Sequence, residues 1–96
     1  MGFDNYSIIV EFVDEYSIDI IYDFINYIKD LLNFNLGGIS FIKSDAISIN
    51  GVNTFDEAET IINKLKNVYL PDFKIYGYKS FKILHAVCEE VASYDF

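Results

Sequence analysis

Apolar residues in this chain recur with two different periods, and the order in which those periods alternate is what most restricts the fold. From Tyr6 to Val13, Ile8, Val10 and Phe12 alternate with Ser7, Ile9 and Glu11, the two-residue period of a strand. Ile9 makes the second face apolar too, so a central strand is expected over 6–13. Asp14-Glu15-Tyr16 breaks the alternation, and Ser17 then stands as an N-cap with Asp19 at the positive end of a helix dipole. Ile18, Ile21, Phe24, Ile25, Ile28, Leu31 and Leu32 follow at spacings of three and four, the stripe of an amphipathic helix. Gly37-Gly38 is placed to end it in the left-handed conformation.

Two short alternating runs come next, Ile39–Lys43 and Ala46–Ile49, joined by Ser44-Asp45 as a hairpin, with Asn50-Gly51 as the following turn. Thr54-Phe55-Asp56-Glu57 has the spacing of a capping box, in which the Thr hydroxyl and the Glu carboxylate satisfy backbone donors at a helix start. The helix it opens turns Ala58, Ile61, Ile62, Leu65 and Val68 inward and carries Lys64 and Lys66 near its negative end, and Pro71 closes the loop beyond it. Phe73–Tyr78 alternates like a fourth strand. Ser80–Ala92 returns to helical spacing through Phe81, Leu84, Val87, Cys88 and Val91.

This order, βαββαβ and then a helix, predicts an α+β fold: a ferredoxin-like two-layer sandwich with an additional C-terminal helix, forming a single domain over 1–96. Val10, Phe12, Ile21, Phe24, Ile28, Ile47, Ile61 and Leu65 are the expected core. The stripe of the last helix needs cover, either from the open sheet face or from its copy in a homodimer. With 52% hydrophobic residues, the chain lies far from the composition of disorder despite its charge. Its longest apolar runs are well short of the ~20 residues of a membrane span. The start, Met1-Gly2-Phe3-Asp4-Asn5-Tyr6, lacks the basic region of a secretory signal and has Tyr where myristoylation needs Ser or Thr. A single cysteine, Cys88, leaves no internal disulfide, so a cytoplasmic protein is the expectation.

Formal net charge is −8, and all seven cations are lysines. Without arginine the chain lacks the usual bidentate grip on phosphate, which argues against nucleic acid, nucleotides and acidic metabolites as partners. Tyr69, Phe73, Tyr76 and Tyr78 do surround Lys74 and Lys79 in the manner of a base-stacking platform, but two lysines do not offset the overall charge. In the expected topology, the end of the first strand, the hairpin and the loop before the fourth strand share one pole. That gathers Asp14, Glu15, Asp45 and Asp72, with Asp19 one turn into the first helix and Lys43 as the neighbouring cation. Such a field steers basic partners, and Tyr76 and Tyr78 are suited to act beside it as exposed anchors.

The spacing of these acids matches no metal-binding loop. His85, Cys88 and Glu89 would fall within one helical turn, too few ligands for a closed zinc site and poor geometry for a nucleophile and its base, so they read as a buried thiol beside a surface His–Glu contact. No phosphate loop, nucleophile elbow or paired His-Glu motif occurs, and neither catalysis nor a cofactor or metal is expected. The leading expectation is a small acidic inhibitor that occludes a basic protein surface, such as an immunity protein neutralising a toxin or nuclease domain, or a phage-type inhibitor. The alternatives are a regulatory small-molecule-binding or dimerisation module, and a small enzyme subunit active only on assembly.

Overall fold

The structure, a computed structural model, describes residues 5–32, 38–85 and 89–96. Strand β1 (Tyr6–Phe12) leads into helix α1 (Ile18–Leu32), then strands β2 (Gly38–Lys43) and β3 (Ala46–Val52), helix α2 (Phe55–Lys66), a 3-10 turn (Leu70–Phe73), and strands β4 (Tyr78–His85) and β5 (Glu89–Asp95). The strands form a five-stranded sheet in the order β2-β3-β1-β4-β5, with every neighbouring pair antiparallel.

β1 is central because both of its edges find partners and its Ile8, Val10 and Phe12 face is buried. Val10 lies opposite Ile47 on one side and Phe81 on the other, and Ile8 opposite Ile49 and Ile83. These residues point to the face that the helices cover. There α1 buries Ile21, Phe24, Ile25, Ile28 and Leu32, and α2 buries Ala58, Ile61, Ile62 and Leu65. All eight residues expected in the core are at most 1% exposed. Their rings meet edge-on, with Phe24 at 5.5 Å from both Phe12 and Phe73, a geometry that suits the quadrupoles of aromatic pairs.

The capping box forms at the start of α2. Thr54 Oγ1 accepts from the Glu57 N–H at 3.1 Å, while Glu57 Oε2 reaches back to the Asn53 N–H at 3.2 Å. The hairpin also forms where expected, closing at Ser44-Asp45. Asn50-Gly51 is not a turn but a bulge within β3: the register against β1 shifts between Tyr6 and Ile8, and Gly51 takes a φ of 72° that favours glycine. The Gly37 half of the expected helix stop, Val87, Cys88 and residues 1–4 lie outside the described residues.

The fold expectation fails after α2. The arrangement is not a ferredoxin-like βαββαβ sandwich with a C-terminal helix: the order ends in two strands, and the sheet has five. Phe73 belongs to the 3-10 turn, and the fourth strand begins only at Tyr78. The expected helix over 80–92 is the β4–β5 hairpin. Phe81, Leu84 and Val91 recur at helical spacings of three and seven, but Phe81 and Ile83 also alternate with Ser80, Lys82 and Leu84. That second period wins because β1 offers a whole open edge: strand pairing seats Phe81 and Ile83 on Val10 and Ile8 and satisfies the backbone of both strands.

A homodimer through a C-terminal helix therefore has no structural basis. The second face of the sheet carries the half-buried Ile9 and Leu84 beside polar side chains that satisfy one another. Ser48 donates to Asn50 Oδ1 at 2.7 Å, Asn50 Nδ2 to Ser40 at 3.0 Å and Ser80 to Glu11 at 2.5 Å, while Lys82 Nζ lies 3.3 Å from Glu11. The Ser80 hydroxyl, with the Lys82 ammonium helping, holds the Glu11 carboxyl below its ordinary value against the opposing effect of burial. Among the described residues no helix is long and apolar enough to cross a membrane.

Candidate functional site

β1, the β2–β3 turn and the segment before β4 do end at one pole, and backbone hydrogen bonds lock them together there. Phe12 N–H donates to the Asp45 carbonyl at 2.8 Å, Val13 N–H to the Gly77 carbonyl at 2.9 Å and Tyr16 N–H to the Ser44 carbonyl at 2.9 Å. Asp14 turns the chain with a φ of 79°, a conformation that a short polar side chain tolerates, and its Oδ1 accepts from the Glu15 N–H at 2.9 Å. Ser44 Oγ donates to Glu15 Oε1 at 2.6 Å, tying the hairpin to the turn after β1. Asp14 and Glu15 are exposed and Asp45 half-buried, and Lys43 Nζ stands 3.7 Å from Asp45 Oδ1.

Asp14, Glu15 and Asp45 thus share one rigid patch. Asp19 is exposed in the first turn of α1, and Asp72 is exposed in the 3-10 turn. Tyr76 is 80% exposed at the same pole. Tyr78, expected as a second exposed anchor, is buried: its ring lies 4.7 Å from that of Phe81 and 6.0 Å from that of Phe12, and its hydroxyl donates to the Leu65 carbonyl at 2.8 Å. The β4 register explains the difference. Tyr78 faces Phe12 at a bulge that sets Lys79 outward, and the helix-covered side receives the ring.

Sequence reasoning took Tyr16 only as part of a strand break, yet its hydroxyl connects the whole pole. It donates to the Val13 carbonyl at 2.5 Å and accepts from the Tyr76 N–H at 2.8 Å, so one phenol joins the turn after β1 to the loop that carries Tyr76. No local pattern signals a bond across sixty residues.

Among the described residues, two surface pockets stand out. One, of about 170 Å³, lies between α2 and β5 and is lined by Glu59, Ile62, Asn63, Lys66 and Tyr94. Its polar groups are engaged with one another: Tyr94 donates to Glu59 at 3.1 Å, and Lys66 Nζ stands 5.6 Å from the centre of the Tyr94 ring. The other, of about 260 Å³, is lined by Pro71, Lys74, Ile75 and Tyr76 and sits at the acidic pole.

His85 and Glu89 do approach, with Nδ1 and Oε1 at 3.9 Å, but as partners across the β4–β5 hairpin and not along a helix. Among the described residues no group of three His, Cys, Asp or Glu side chains is disposed to hold a metal ion. The site and the fold together define an acidic α+β protein with a rigid, carboxylate-bearing pole. Comparison with protein-family models, curated proteins and solved structures gives no match to this chain.

Proposed function

We propose that this chain is a small acidic binding protein that occludes a basic surface on a partner protein. The observation that carries the reading is the locking of Asp14, Glu15 and Asp45 onto one patch by cross-element hydrogen bonds. Carboxylates held on a rigid support meet a cationic surface without the entropy cost of ordering them first. The net charge of −8 adds a long-range field that steers encounter, an effect worth up to ~10–1000-fold in association rate at low salt. A toxin or nuclease domain that grips a polyanion presents a basic cleft of this complementary kind, which makes an immunity protein or a phage-type inhibitor the form the function takes.

The test is association kinetics with a basic partner captured from native extract at low salt. Reversing Asp14, Glu15 and Asp45 together to lysine should slow association by about tenfold or more and flatten its salt dependence, with the fold intact by circular dichroism. Each single reversal should act weakly, since exposed ion pairs contribute only ~0–1 kcal/mol. Association unchanged in the triple variant would refute the reading.

A further inference from the structure

We infer that the pocket beside Tyr76 is the anchor point of this docking face and receives one aromatic side chain from a lysine- or arginine-rich segment of the partner; this rests on the acidic-pole reading above. The pocket, lined by Pro71, Lys74, Ile75 and Tyr76, measures about 260 Å³. That is below the ~300–1,000 Å³ of ordinary small-molecule sites and suits a single large side chain. Tyr76 forms its wall with 80% of its surface in water, where an aromatic ring gains most from being covered at an interface.

The wall is also rigid. Tyr76 N–H is held by the Tyr16 hydroxyl, that hydroxyl is held by the Val13 carbonyl, and Val13 N–H in turn binds the Gly77 carbonyl. The ring of Tyr16 stands 6.2 Å from that of Tyr76. On the other side, Lys74 sits at a φ of 61° and its N–H binds the Leu70 and Pro71 carbonyls, closing the 3-10 turn. A ring entering this pocket therefore meets a surface that is already ordered.

Charge fixes the chemistry of the occupant. Lys74 lines the pocket, so a cation inside it would be repelled, while the net charge of −8 opposes the approach of an anion, and the side chain that fits is uncharged. Around it the charge is negative: Asp72 adjoins Pro71, and Asp14 and Glu15 adjoin the Val13 and Tyr16 that hold the loop. The segment that fits carries an aromatic residue flanked by cations. Tyr16 acts here as a positioning residue through Tyr76.

Three capped tripeptides test this against the isotope-labelled protein by nuclear magnetic resonance: Lys-Trp-Lys, Lys-Gly-Lys and Gly-Trp-Gly. Lys-Trp-Lys should shift the amides of 74–77 together with those of 14–16 and bind about tenfold tighter than Lys-Gly-Lys. Tyr76→Ala should remove that advantage while leaving Lys-Gly-Lys binding as it was, and Tyr16→Phe should reduce it with the rest of the spectrum unmoved. Equal binding of the two lysine peptides, with shifts confined to 14–16, would overturn the anchor and leave the acidic pole standing. Gly-Trp-Gly binding as tightly as Lys-Trp-Lys would overturn the basic character of the occupant and count against the acidic pole itself. Unmoved amides at 74–77 with all three peptides would remove the site altogether.

Discussion

The phenol of Tyr78 lies among Phe12, Phe24, Phe81 and Phe96, and burial pushes its ionisation far above the ordinary tyrosine value of ~10. The folded protein therefore keeps a proton that the unfolded chain gives up, so the contribution to stability is complete below pH ~10 and is lost as pH rises above it. Tyr78→Phe should cost about 1 kcal/mol at neutral pH, near the low end for a lost hydrogen bond because the Leu65 carbonyl still accepts from the Val68 N–H at 3.1 Å. The same variant should lose stability less steeply between pH 9 and 11; denaturant unfolding at both ends of that range measures it, and parallel slopes for the two proteins would contradict the assignment. At Phe24, which is fully buried, truncation to alanine should cost roughly 3–5 kcal/mol through the cavity it leaves. A loss under ~1 kcal/mol in chemical denaturation would mean that the ring is not in the core.

Among the elements, α2 starts where its own residues dictate. The Thr54 hydroxyl caps the Glu57 N–H, and Thr54→Ala should destabilise by about 1 kcal/mol, read from the urea midpoint at unchanged slope. α1 and the β2–β3 hairpin were equally legible, because each carries its signal within about fifteen residues: an apolar stripe, or two alternating runs around Ser44-Asp45. The segment 78–92 was not. Phe81, Leu84 and Val91 satisfy a helical spacing while Tyr78, Phe81 and Ile83 satisfy strand burial across a bulge, and no local property separates the two. Carbon chemical shifts over 78–85 and 89–95 should report extended backbone; helical shifts there would remove β4 and β5.

At the scale of the molecule, −8 charges share a body of 42 × 24 × 21 Å. In ~0.01 M salt the screening length, ~30 Å, exceeds both short dimensions, and at ~0.15 M it falls to ~8 Å. Self-repulsion should therefore weaken as salt is added. Tm should rise, by on the order of 4–8 °C for each ~1 kcal/mol of repulsion relieved, and a Tm that is flat or falling over this range in calorimetry would exclude that account. The same screening opposes the steering of a basic partner, so salt should stabilise the fold while slowing capture.

The candidate site divides along the same line as the fold. Its acidic residues were legible, since Asp14-Glu15 and Ser44-Asp45 sit at breaks between apolar runs, where loops meet water. That Asp14, Glu15 and Asp45 share a patch depended on the strand order. Tyr76 and Tyr78 look alike in the sequence, two residues apart in one aromatic stretch, yet one is 80% exposed and the other 8%. The bulge opposite Phe12 sends the Tyr78 ring into the core, and the Tyr16 hydroxyl holds the backbone of Tyr76 at the rim. Sequence by itself determined the elements whose stabilising contacts are local: the capped α2, the amphipathic α1, the first hairpin and the apolar core positions. Only the tertiary structure decided the β4–β5 hairpin, the burial of Tyr78 and the bridge through Tyr16, because each depends on contacts with residues roughly thirteen to seventy positions away that form only once β1 has taken its place at the centre of the sheet.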